Sequence, residues 1–170
     1  MVDGYNIIFA WRNLKAKAER ISLDAARIGL LDILCNYQGL KQNSIIAVFD
    51  AHNVKGGVEK VEPYNNITVV FTKEAETADH YIERTAGVLS RYDRVWVATS
   101  DYLEQMIILS KGANRITAET LSAEIKSAEK TMRINYIENK PLKKNPLMQN
   151  LDVKTAELLN KMRFPKGQDK

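Results

Sequence analysis

The chain has 170 residues, enough for one domain with a full core, and 45% hydrophobic with 27% charged residues marks an ordinary folded protein. Met1-Val2-Asp3-Gly4 lacks the basic and apolar segments of a signal peptide, and no apolar run approaches the roughly 20 residues that cross a bilayer. A single cysteine, Cys35, excludes an internal disulfide, so a cytoplasmic location with no membrane partner is expected.

The net charge of +4 is unevenly spread. From Lys126 to Lys170 there are 11 Lys/Arg against 5 Asp/Glu, a net of +6, whereas residues 1–125 carry −2. A basic final segment on a slightly acidic body suits either an anionic partner gripped by the tail or a solvated Lys-rich helix.

Met1-Val2 is a short lead-in to a first strand, where a buried strand wants four or five apolar residues; either strand one is clipped or the start codon is placed late. Ser22 caps a helix through Leu23, Ala26, Leu30, Leu31 and Leu34, closed at Gly39. Ile45–Phe49 is a continuous β-branched run, as in a strand buried on both faces, and 67–71 and 95–98 read alike. Residues 53–66, with Gly56-Gly57, Pro63 and Asn65-Asn66, form a loop or partial hairpin. Thr77 caps a second helix through Ala78, Ile82, Ala86 and Leu89. Ser100 caps a third over 101–109, stopped by Gly112, and a short last strand covers 114–116. A long helix follows from about Thr117 to Tyr136, and 153–162 forms a final short one. Strands alternating with helices imply βαβ units and a parallel sheet.

In such a sheet, ligands bind beyond the carboxyl ends of the strands. Asp3 ends strand one, Asp50 the second, Glu74, Glu76 and Asp79 follow the third, and Asp101 the fourth. Carboxylates crowded together raise each other's pKa unless a cation neutralises them, and hard oxygen-seeking ions do so. Mg²⁺ or Mn²⁺ held this way suits phosphodiester hydrolysis. His52 and His80 are not spaced as a zinc pair, and nothing calls for an organic cofactor. Taken singly, Asp79 and Asp101 are better read as helix-capping or dipole-compensating acids; their coincidence with Asp3 at one edge favours a site.

Val2-Asp3-Gly4-Tyr5-Asn6, Glu76-Thr77-Ala78-Asp79 and Thr99-Ser100-Asp101 together resemble the NYN branch of the PIN-like nucleases. Val48-Phe49-Asp50-Ala51-His52 and Phe71-Thr72-Lys73-Glu74 narrow the resemblance to the bacterial YacP-like subfamily. It implies an α/β, Rossmann-like PIN/NYN three-layer fold over 1–138 with a mainly parallel central sheet; the tail over 139–170, read from its residues as a basic linker and short helix, is not covered by it. The resemblance also implies Mg²⁺ or Mn²⁺ held by catalytic Asp3, Asp79 and Asp101. Asn6, Glu76, Asp50 and Ser100 stand in support. The best-understood type of this subfamily is a ribosome-associated endonuclease that cuts mRNA in the A site. An endoribonuclease of that kind is therefore expected, with Lys143, Lys144, Lys161 and Arg163 as RNA contacts. The alternatives are a nuclease-inactive RNA- or ribosome-binding module and a phosphotransfer domain. The latter wants a second acid where Tyr5 stands. Tyr5 either stacks an RNA base or packs over the sheet edge.

Overall fold

The computed structural model describes residues 1–50, 58–74 and 76–138, with side chains through Tyr136. Met1–Met132 form one compact unit. The expected final helix, the four tail cations and His52 lie outside the described residues.

Six strands form one sheet: β1 (Val2–Asp3), β2 (Ile46–Phe49), β3 (Lys60–Tyr64), β4 (Ile67–Phe71), β5 (Trp96–Ala98) and β6 (Asn114–Ile116), in the order β3-β4-β2-β1-β5-β6. All pairings are parallel except the β3–β4 hairpin. Of the segment 53–66, expected as a loop or partial hairpin, residues 53–57 lie outside the described residues and 60–64 pair with β4 as a hairpin turned by Asn65 at φ 51°. The hairpin places β3, with Pro63 in it, on the sheet's edge, where the missing N–H of proline is tolerated.

The helices are α1 (Gly4–Ala10), α2 (Arg12–Arg20), α3 (Leu23–Lys41), α4 (Ala78–Leu89), α5 (Tyr102–Ser110) and α6 (Ala118–Glu138). Because side chains alternate across a strand, the sheet feeds two cores. Ala47, Phe49 and Val69 pack with Ile7, Leu30, Leu34, Leu121 and Ile125 from α1, α3 and α6. Val48, Val70 and Val97 pack on the other face with Ile82 and Ala86 of α4 and Ile108 of α5. This is the three-layer α/β architecture.

Three boundaries differ from the sequence reading. α3 runs past Gly39 to Lys41, because Gln42 itself adopts the left-handed conformation that ends the helix. The third expected helix is capped by Asp101 rather than Ser100, the Asp101 carboxylate accepting from the Leu103 and Glu104 amides. Residues 4–20, for which the sequence reading named no element, form α1 and α2, with Ile7, Ile8, Trp11, Leu14 and Ala18 turned to the core.

The two-residue β1 is central, between β2 and β5. It is extended by one hydrogen bond on each side of Met1: the amino group donates to the Trp96 carbonyl at 2.6 Å, and the Met1 carbonyl accepts from the Ala98 amide at 2.9 Å. The chain then turns at once into α1, because Asp3 caps it by accepting from the Asn6 amide at 3.0 Å. That turn presses Gly4 onto Phe49: a Cβ at Gly4 would lie 2.1 Å from the ring. Gly4→Ala therefore forces the ring or the first turn of α1 aside and is expected to cost about 1–3 kcal/mol, as overpacking does. Urea denaturation checks it; an unchanged midpoint would show that the contact yields without strain.

Candidate metal and active site

The carboxyl ends of the strands carry the acids, and the pleat decides which of them meet. Val2 faces the α1/α3 core, so the next residue, Asp3, faces α4 and α5. Asp79 stands in the first turn of α4, capped by Thr77, whose hydroxyl accepts from the His80 amide. Glu104 stands in the first turn of α5. One oxygen from each of Asp3, Asp79 and Glu104 lies within 4.8 Å of the others.

Glu104 was not among the residues expected from the sequence. It is 5% exposed, and neither carboxylate oxygen has a hydrogen-bond partner of normal geometry. Burial pushes its carboxyl up to about 8; the Thr99 hydroxyl beside it pulls the other way without a well-formed bond, and Asp3, Asp79 and Asp101 push further up. Asp3 is also buried and raised to about 6. Burial is the main cause, opposed by the Asn6 amide and reinforced by the charge of Asp79 and by a hydrogen bond that favours protonated Asp3. These are the signs of anionic groups assembled without their counter-charge.

The other expected residues divide. Asp101 is exposed and spends its carboxylate on capping α5, with the Leu103 amide at 2.7 Å and the Glu104 amide at 3.3 Å. It stands close enough to raise Glu104, but the three-residue cluster does not include it. Asn6 accepts a hydrogen bond from the Ser100 hydroxyl, tying the turn after β1 to the turn after β5. Glu76 is engaged elsewhere: one oxygen accepts from Arg84 at 2.9 and 3.3 Å, and the other lies 3.9 Å from the Lys73 ammonium. Asp50 sits half-buried just past β2, and Glu74 is exposed. Tyr5 packs its ring edge-on to Phe49, with centroids 5.2 Å apart, which supports the packed rather than the base-stacking reading.

Gln105, buried beside Glu104, fixes this end of α5. Its amide donates to the Thr99 carbonyl at 2.9 Å and its oxygen accepts from Arg115 at 2.6 Å. The acid from α5 is therefore held on a braced helix end.

An open α/β sheet of this order, with two buried acids and an exposed one gathered at its carboxyl edge, is the arrangement of a nuclease-family domain, a class that rests on the family match. The comparisons narrow it. Residues 1–164 match the YacP-like NYN domain. The uncharacterized protein YacP of Bacillus subtilis (strain 168) is 42% identical over 162 residues, 92% of this chain and 93% of the relative. Two crystal structures of Rae1 (YacP) from Bacillus subtilis superpose on the fold, each over 95% of this chain and 92% of theirs. The mutant form has a TM-score of 0.70 at 35% identity, and the second 0.66 at 39%. The chain belongs to the YacP-like NYN domain family.

The raised carboxyls set a pH dependence. Groups whose pKa is higher folded than unfolded stabilise the fold below the unfolded value, and that stability is lost as pH rises through the folded one. For Asp3 the window runs from 3.8 to about 6, and for Glu104 from 4.5 to about 8. The metal-free protein is expected to melt at a lower temperature at pH 8 than at pH 5.5, the Glu104 loss outweighing the opposite contribution of the buried Met1 amino group, which is lowered to about 6, and Glu104→Gln is expected to abolish or reverse that slope. A parental slope in the variant would show that Glu104 does not carry it.

Proposed function

We propose that the protein is a metal-dependent endoribonuclease that hydrolyses phosphodiester bonds of RNA, with mRNA on the ribosome as its substrate. The observation that carries the reading is the Asp3–Asp79–Glu104 cluster, with two orphaned Glu104 oxygens, at the carboxyl edge of a nuclease-family fold. Buried carboxylate oxygens without donors suit a hard divalent cation, so the residues fit Mg²⁺ or Mn²⁺.

Asp3, Asp79 and Glu104 would hold the ion, with Asp101 at the margin. Bound there, it supplies charge neutralisation at the phosphate and a lowered pKa for water. The chain's own residues do the positioning. The Asn6 amide fixes one oxygen of Asp3, and the Asn6–Ser100 bond keeps the turns after β1 and β5 in register. Asp101 holds the first turn of α5 and thereby the backbone from which Glu104 projects. Asp79 stands in the first turn of α4, which carries it to the carboxyl edge beside Asp3 and Glu104.

Asp79→Asn is expected to abolish RNA cleavage in Mn²⁺ while keeping the fold, and to raise the metal-free melting temperature by relieving repulsion. Cleavage at the parental rate would reject the mechanism. RNA binding with no cleavage by the parent would favour a nuclease-inactive binding module.

Docking on a large RNA assembly is assigned to the basic segment after residue 138. Lys143, Lys144, Lys161 and Arg163 offer sequence-independent phosphate contacts to offset the acidic edge. Neutralising all four is expected to weaken ribosome co-sedimentation and flatten its salt dependence, with Mn²⁺ binding unchanged. Equal co-sedimentation across a salt series would move the docking surface elsewhere.

A further inference from the structure

On the other face of the same sheet edge, the last residues of two neighbouring strands, Phe49 of β2 and Phe71 of β4, stand in register with their rings 5.8 Å apart. Arg27, in the second turn of α3, lays its guanidinium over both, 5.9 and 5.3 Å from the centroids. One nitrogen donates to Asp24 at 2.6 Å, and another donates to the Tyr5 hydroxyl at 3.3 Å. Tyr5 is two residues from Asp3, and its ring rests on the same Phe49.

We infer that Arg27 and the Tyr5 hydroxyl form a phosphate-binding subsite that grips the RNA backbone beside the scissile phosphate; this rests on the endoribonuclease reading above. A guanidinium carries five N–H donors, and among the described residues two of them have acceptors here. The Tyr5 oxygen accepts from Arg27, which leaves its own proton to donate, and no acceptor for it stands among the described residues. Arg27 is not sealed in: its side chain is 25% exposed. The aromatic rings fix its plane, and a planar fork held in advance loses little freedom when it meets phosphate oxygens.

Described cations at this edge are committed otherwise: Lys60, opposite Phe71 in the sheet, is bound to Glu62 at 2.5 Å, and Lys73 and Arg84 both lie against Glu76. Arg27 has an ion pair too, but Asp24 is 74% exposed and takes one nitrogen, leaving the rest of the fork available. A strand gripped there would cross the edge at Asp3 to reach the cluster on the α4/α5 face, so one backbone would span both faces.

The test measures the affinity of a fluorescein-labelled single-stranded RNA for Tyr5→Phe, Arg27→Lys and Arg27→Gln in the Asp79→Asn background across a salt series. It also measures KM and kcat in Mn²⁺ with Asp79 intact. Tyr5→Phe keeps the ring on Phe49 and is expected to weaken binding about threefold, the effect of one hydrogen bond. Arg27→Gln is expected to weaken it about tenfold or more and to lower the salt slope by about one. Arg27→Lys is expected to lose affinity with the slope kept, because the charge survives and the fork does not. KM rises and kcat holds. A merely structural role would move the urea midpoint without moving the salt slope. Parental affinity and slope in Tyr5→Phe and in folded Arg27→Gln, with the parent cleaving RNA, would overturn the subsite alone. A parent that binds RNA but cleaves none would overturn the reading beneath it, and the binding series would still decide the subsite.

Discussion

Like charges crowded at a buried edge are the constraint around which the rest is arranged. Asp3 cannot move away from Asp79 and Glu104, because its backbone is the centre of the sheet and its carboxylate also starts α1. Gly4 against Phe49 makes the turn tight enough to hold it there. The repulsion is a local cost borne by two apolar cores, and on the proposed reading it would turn into binding energy for a cation. Stability given up at one point for function at another is a common trade in folded proteins.

Much of the layout was legible in the sequence, since strands buried on both faces read as unbroken apolar runs and α4 and α6 show plain stripes. What escaped did so for physical reasons. α1 and α2 are short and break at Trp11, so the stripe of Ile7, Ile8, Trp11, Leu14 and Ala18 is divided between two helices that each show only part of it. Gly39 looked like a stop, but a glycine ends a helix only where the backbone turns left-handed, and Gln42 does that.

Glu104 shows the limit most clearly. With Asp101 three residues before it, Glu104 has the spacing of a capping box, in which the acid is a solvated partner of the helix start. The apolar residues around it imply that it faces outward. The helix is inverted: Tyr102, Leu103, Met106 and Ile107 are exposed, while Glu104 and Gln105 are buried. Local pattern places an acid on the wet side by default, and only the position of α5 beside β5 and β6 reverses it. Asp101, which the resemblance put in the site, stands at the same helix end and uses one oxygen, Oδ1, to accept from both the Leu103 and Glu104 amides. The two acids share the end of one helix, one bracing it and the other facing the cluster.

The hairpin edge has a consequence of its own. A sheet of six strands has two open sides, and an exposed side is a template on which other chains can stack. Here β6 is three residues long and carries Arg115, which limits one side. On the other, β3 holds Lys60, Glu62 and Pro63 within five residues, and the proline has no N–H to offer a newcomer. Among the described residues, the short β6 and the proline-bearing β3 therefore disfavour growth of the sheet at both margins.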